Sequence, residues 1–123
     1  MTTQYERVAI FDVDGTLMDI DHRRKYVQGD KKDWKSFFDY MEFDTINDNV
    51  FHLAHALHKD GYVIIVCSGR NEKHREITEK QLAFGKLEYQ ALMMRGDADY
   101  RRDWEVKREM LAEIRNSGFD PKI

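Results

Sequence analysis

An α/β fold, with a parallel sheet and helices on both of its faces, is what the sequence predicts, and three observations lead there. Short apolar runs alternate with stretches of helical period. Each parallel step needs a crossover connection, which the helical stretches supply. The polar residues suited to chemistry fall just beyond the apolar runs, where loops converge at the carboxyl ends of parallel strands.

Arg7 to Phe11 is the first apolar run, and it ends at Asp12. Residues 18–46 then interrupt the alternation. Within them Trp34, Phe37, Phe38 and Met41 have helical spacing, so a small helical cap insert is expected over the end of the first strand, with plain core packing of its aromatics as the compatible alternative. Val50, Leu53, Ala54 and Leu57 follow at i, i+3, i+4 and i+7 with Gly61 as the stop, which predicts an amphipathic helix. Tyr62 to Val66, bounded by Gly61 and Ser68-Gly69, reads as a second buried strand. Ile77, Leu82 and Phe84 belong to a second helix before Gly85, and Ala91 to Met94 is a weaker third strand. The last helix runs from Asp103, read as its N-cap, through Val106, Met110, Leu111 and Ile114 to Gly118.

A chain of 123 residues, 41% hydrophobic, can bury one core, so a single domain is expected. Charged residues make up 35%, but 20 basic against 23 acidic side chains leave a net charge of -3, which disfavours bulk-charge binding to a duplex. Two basic clusters, one at 22–25 and one formed by Arg95, Arg101, Arg102, Lys107 and Arg108, are local anion patches or solvated faces. The single Cys67 excludes an internal disulfide and fits a reduced, cytoplasmic setting, as a small core residue. No apolar stretch is long enough for a leader or a membrane span. His52, His55 and His58 have chelating spacing, but His52 and His55 point opposite the apolar stripe and His58 sits on its flank, so a solvated face is expected.

The stretch FDVDGTL, residues 11–17, carries the chemistry. Asp12 and Asp14 repel each other unless a cation or a proton lies between them, so the pair suits a metal and an anionic substrate. A carboxylate at the strand end can attack phosphorus in line, and one leaning the other way can protonate the departing alcohol. Ser68 and the Gly69 amide can hold phosphoryl oxygens, and Lys107 can neutralise the nucleophile and the transferring group.

These elements resemble the haloacid dehalogenase superfamily, whose first motif is matched by residues 11–17, its second by Ser68 and its third by Lys107. More narrowly, HRRKYV, KKDWKSFFDYMEFD, SGRNEKHREITEKQL and LMMRGDADYRRDWEVKREML resemble the phosphatase domain of polynucleotide kinase-phosphatase over nearly the whole chain. The resemblance implies a Rossmann-like sheet and a magnesium-dependent phosphomonoesterase that forms an aspartyl-phosphate on Asp12, with Asp14 as acid and then base. It also implies that Asp12 and Asp14 hold Mg2+, that Thr16, Gly69, Arg70, His22, Arg23 and Arg95 contact the substrate, and that the substrate is a 3'-phosphorylated nucleic acid end. Alternatives are a small nucleotide as substrate, or an idle module that binds nucleic acid ends.

The family's fourth motif, an aspartate pair on a further strand, has no counterpart before Ile123, and Asp120 precedes the presumed strand. The expectation is therefore that residues 121–123 begin that strand and that the rest of it is missing, with an impaired metal site and an apolar edge of the first strand left unpaired and prone to self-association.

Overall fold

The computed structural model describes residues 6–123; the first five, where the sequence offers no leader-like stretch, lie outside the described residues. Four parallel strands form the sheet: β1 (Arg7–Phe11), β4 (Val63–Asn71), β5 (Ala91–Arg95) and β6 (Asp120–Pro121), in the order β5-β4-β1-β6. Two further strands, β2 (Met18–Asp19) and β3 (Thr45–Ile46), pair antiparallel with each other.

Alternation along the central strands divides the core. Ala9, Phe11, Ile64 and Val66 face one side, where α3 (Asp48–Lys59) and α4 (Arg75–Phe84) supply Phe51, Ala54 and Leu82. Val8, Ile65 and Cys67 face the other, against Val106, Met110 and Ile114 of α5 (Asp103–Asn116). Successive side chains on a strand point to opposite faces, so a strand buried on both has to be apolar throughout. Each fully buried aliphatic side chain contributes roughly 1.5–3 kcal/mol, which is why these two strands organise everything else.

Residues 18–46 leave and return through the β2–β3 pair, in which Met18 faces Ile46. Between them lie α1 (Asp21–Arg24) and α2 (Trp34–Asp39). The Asp33 side chain caps α2 by accepting the Ser36 N–H at 3.1 Å. The insert is thus helical as expected, and it is tied down by buried Met41 and Ile20.

Five expectations are corrected. β4 extends to Asn71 instead of ending at Val66: after Cys67 pairs with Met93 the register shifts across residues 68–70, and the ladder resumes with Asn71 opposite Arg95. In α3, Phe51 takes the core position and Leu53 is 50% exposed, since Phe51 and Ala54 form the stripe that meets the sheet. Phe84 is 76% exposed at the end of α4. Asp103 is the first helical residue of α5, not its N-cap, and its carboxylate is engaged elsewhere. The edge of β1 is paired over most of its length: Asp120 N–H donates to the Glu6 carbonyl and Lys122 N–H to that of Val8, both at 2.9 Å, and Ile10 N–H donates to the Ile123 carbonyl at 2.9 Å. The turn at Gly118 brings these residues back parallel to β1, so a fourth strand is present and the expected open edge is covered there. At the other edge, the Arg75 guanidinium donates to the outward Leu92 carbonyl of β5 at 2.9 Å.

Candidate active site

The loop after β1 is pinned by its apolar residues. Val13 and Leu17 are fully buried, so the side chains between and before them are left to the loop's outer surface. The chain turns back on itself through Met18 N–H to the Val13 carbonyl at 2.8 Å and Gly15 N–H to the Met18 carbonyl at 2.9 Å. Gly15 has φ +77°, a conformation side chains disfavour, which explains the glycine. Asp12 and Asp14 emerge from this turn into two different surroundings.

Asp12 faces α5. The Lys107 ammonium lies 3.0 Å from Asp12 Oδ2 and 2.9 Å from Asp103 Oδ2, and Val13 N–H donates to Asp12 Oδ1 at 2.8 Å. Burial raises the Asp12 carboxyl above its ordinary range, and its hydrogen bond and charge interaction with Lys107 offset only part of that. Burial acts to lower the Lys107 pKa, but hydrogen bonds to Asp103 and Asp12 outweigh it and the net shift is upward. The two partners differ because the ammonium has two carboxylates and Asp12 has one cation. Asp103 also lies against the chain at Gly69: a Cβ there would come 2.1 Å from Asp103 Oδ1.

Asp14 faces the insert. Its Oδ1 accepts from Arg23 Nη2 at 3.0 Å and from Arg70 Nε at 2.9 Å. Both arginines are buried, Arg23 completely. Asp44, a residue of the insert, balances them: it accepts Arg23 Nε and Nη2 at 2.7 Å each and Arg70 Nη2 at 2.9 Å. Arg70 further donates to Thr78 and Gln81 of α4, and the Arg23 guanidinium lies 4.4 Å over the Phe37 ring. A charge buried in this way needs every donor paired, and here Asp44 makes that possible. No hydrogen bond to Asp14 Oδ2 occurs among the described residues, so that oxygen is the one left for solvent or ligand.

The sequence-derived candidates therefore fall into groups. Asp12 and Lys107 are in contact, and Asp14 leaves the same loop toward Arg23 and Arg70. Ser68 is buried, and its Oγ accepts Arg70 N–H at 3.0 Å. Thr16 lies in the turn itself. Arg23 and Arg70, expected to contact substrate, are buried and hydrogen-bonded to Asp14 and Asp44, Arg23 also to the Phe37 carbonyl and Arg70 also to Thr78 and Gln81. His22 Nε2 lies 2.6 Å from Asp44 Oδ1, at the outer side of the same network. Arg95 is directed at main chain, donating to the Gly69 and Asp99 carbonyls and to that of Arg101. Within the two basic clusters Arg24 pairs with Asp21, and Arg101 with Asp99 and Glu109, whereas Lys25, Arg102 and Arg108 are exposed and form no ion pair among the described residues. Cys67 is buried beside Asp12, and burial followed by that aspartate's charge pushes its thiol up to about 11, so it is no thiolate nucleophile. The three α3 histidines are exposed, as expected.

Asp44, Thr78 and Gln81 escaped sequence reasoning, as did the part Asp103 plays. Their only signal is tertiary, since no local spacing connects position 44 to position 14.

Among the described residues, no three acidic, histidine or cysteine groups gather as a metal cage. The loop does offer the Asp12 carboxylate and the Asp14 main-chain carbonyl, which accepts no main-chain hydrogen bond among the described residues. Magnesium is commonly held by one or two carboxylates together with water and substrate phosphate, and this donor pair fits that habit. No helix among the described residues is long and apolar enough to cross a membrane.

The family model described as the polynucleotide kinase PNKP phosphatase domain matches residues 6–122. Two solved structures, of the Pnkp1/Rnl/Hen1 complex and of the Pnkp1/Rnl/Hen1 RNA repair complex, each contain a chain similar to this one with TM-score 0.80 and 29% identity. The match covers 98% of this chain but only 39% and 36% of those chains, so this chain spans less than two fifths of their length. No curated protein matches it.

Proposed function

We propose, for a chain that belongs to the family of polynucleotide kinase PNKP phosphatase domains, that it is a phosphomonoesterase removing 3'-phosphates from nucleic acid ends. The observation that carries this reading is the division of labour at the loop: one carboxylate on a lysine, its neighbour locked by two buried arginines with one oxygen free.

Asp12 attacks phosphorus, forming a P–O bond to its carboxylate while the ester bond breaks. The leaving oxygen takes a proton from Asp14 Oδ2. Water then attacks the acyl phosphate, giving up its proton to Asp14 and restoring both acids. Lys107 offsets charge on Asp12 and on the transferring group, and Asp103 holds that ammonium in place. Arg23 and Arg70 hold Asp14 through Oδ1, so its other oxygen alone is presented. The Gly69 amide and the Ser68 hydroxyl border the space for the phosphoryl oxygens, with Thr16 at the turn. Asp12 and the Asp14 carbonyl would hold magnesium, which when bound neutralises phosphoryl oxygens and orients them for displacement.

In this reading residues 1–123 act as one phosphatase domain with 18–46 as its cap. The buried, unpaired Cys67 fits a reducing cytoplasm. The likeness to a chain of an RNA repair complex supports broken nucleic acid ends as the substrate class and a place beside other repair proteins.

The test is phosphate release, with magnesium, from a 3'-phosphorylated oligonucleotide and from the corresponding mononucleotide. Faster release from the oligonucleotide, abolished by Asp12→Asn, is expected. Equal or faster release from the mononucleotide, or oligonucleotide binding without release, overturns the reading.

A further inference from the structure

Arg70 is held by more than the two aspartates it faces. Its Nε donates to Asp14 Oδ1 and its Nη2 to Asp44 Oδ2, both at 2.9 Å, while its Nη1 donates to Thr78 Oγ1 at 2.9 Å and to Gln81 Oε1 at 2.6 Å. These acceptors come from the loop after β1, from the insert and from α4, so the guanidinium plane is fixed from three sides. The edge that meets Asp14 is fixed with it.

Gln81 differs from Thr78 in what it does with its remaining group. The Thr78 hydroxyl donates to the His74 carbonyl, one turn back, at 2.8 Å. Gln81 reaches out of α4 instead: its Nε2 donates to the Met41 carbonyl of the insert at 2.9 Å. That carbonyl also accepts the Asp44 N–H, at 3.1 Å, so Gln81 grips the turn that presents Asp44 to both arginines. The side chain is 7% exposed, and its two bonds fix each other. Turning the amide over would set its NH2 against the guanidinium and its oxygen against the Met41 carbonyl.

Charge explains why an amide stands here. Arg23 and Arg70 are balanced by Asp14 and Asp44, two cations against two anions. A carboxylate at position 81 would add a surplus negative charge and could not donate to Met41. An apolar side chain would leave an Arg70 N–H without its acceptor and untie the insert from α4.

We propose that Gln81 is a positioning residue for proton transfer: by clamping Arg70 to the turn that carries Asp44, it aims the free oxygen of Asp14 at the leaving group. The role rests on the proposed reaction, and the clamp rests on the hydrogen bonds alone. Loss of Gln81 therefore falls on bond cleavage that needs a proton, and far less on substrate binding or on an ester whose leaving group needs none.

The test reads reaction and clamp separately. Gln81→Met keeps the length of the side chain and removes both hydrogen bonds. With magnesium it should lower kcat for a 3'-phosphorylated oligonucleotide about ten- to a hundredfold at little cost in KM, and the p-nitrophenolate burst from p-nitrophenyl phosphate much less. Gln81→Glu, which keeps the acceptor for Arg70 but not the donor to Met41, should show the same split. An equal fall on both substrates, or a raised KM with unchanged kcat, overturns the positioning role. In isotope-labelled protein the Arg70 Nε–H should exchange slowly with solvent in the wild type and rapidly in Gln81→Met, and unchanged exchange overturns the clamp. Rapid exchange in the variant, where the wild type hydrolyses neither substrate, supports the clamp and overturns the reaction.

Discussion

Two aspartates separated by one residue live in opposite regimes. Asp12 depends on the sheet and α5: a single lysine faces it, burial raises its pKa, and the rest of its surroundings are strand and helix core. Asp14 depends on the insert: two buried arginines hold it, and they are balanced by Asp44 from the far end of that insert. The scaffold thus positions one acid at a strand end and the other by a polar network that needs Asp44 from residues 18–46. Identical side chains acquire different chemistry because their partners come from different parts of the chain.

The sharpest way to break this comparison is to change the leaving group. Asp12→Asn should cut hydrolysis of alkyl and aryl phosphates alike by at least about a thousandfold. Asp14→Asn should lose about 10²–10⁴ on a 3'-phosphorylated oligonucleotide, yet keep a burst of p-nitrophenolate from the aryl ester, whose leaving group needs no proton. Loss of that burst would show that the two acids do not divide the work.

Lys107→Ala should come next, with kcat down about 10²–10³ and little change in the urea midpoint, because the ammonium is half-buried on the surface of α5. Asp44→Ala should do the reverse. It strands two buried guanidinium groups and should cost about 3–5 kcal/mol in urea denaturation, with the larger part of the loss appearing as instability. Equal destabilisation by both variants would erase the contrast between the two regions.

The smallest effect is on pH. The Asp12 carboxyl titrates above its ordinary value of 3.8 in the folded chain, so the folded state keeps this proton to higher pH than the unfolded state does. Its contribution to stability is full below 3.8 and is lost as pH rises through the folded value. Asp12→Asn should therefore melt at or above the wild-type temperature at neutral pH, with the gap closing as pH falls toward 3.8. A gap that widens in acid would contradict the upward shift.

What could be read in advance follows the same division. β1 was legible residue for residue, because an apolar run ending in Asp12 has no other reading. The Asp12 and Lys107 pairing was legible too, since the resemblance carries both residues. The Asp14 network was not. Arg23 and Arg70 look like surface cations in sequence, and only the return of Asp44 through the β2–β3 pair turns them inward. Helical period alone also chose Leu53 over Phe51, because a one-dimensional stripe does not say which of two adjacent apolar rows meets the sheet. A strand starting at 121–123 was legible, but not that it begins at Asp120 and already covers most of the β1 edge, which depends on the Gly118 turn.

The contact between position 69 and Asp103 has one more implication. Since even a methyl group at Gly69 would collide with the carboxylate that steadies Lys107, a saturation library at this codon screened for turnover should return wild type almost alone. Alanine there would be a catalytic lesion disguised as a backbone change, visible in rate before it is visible in folding.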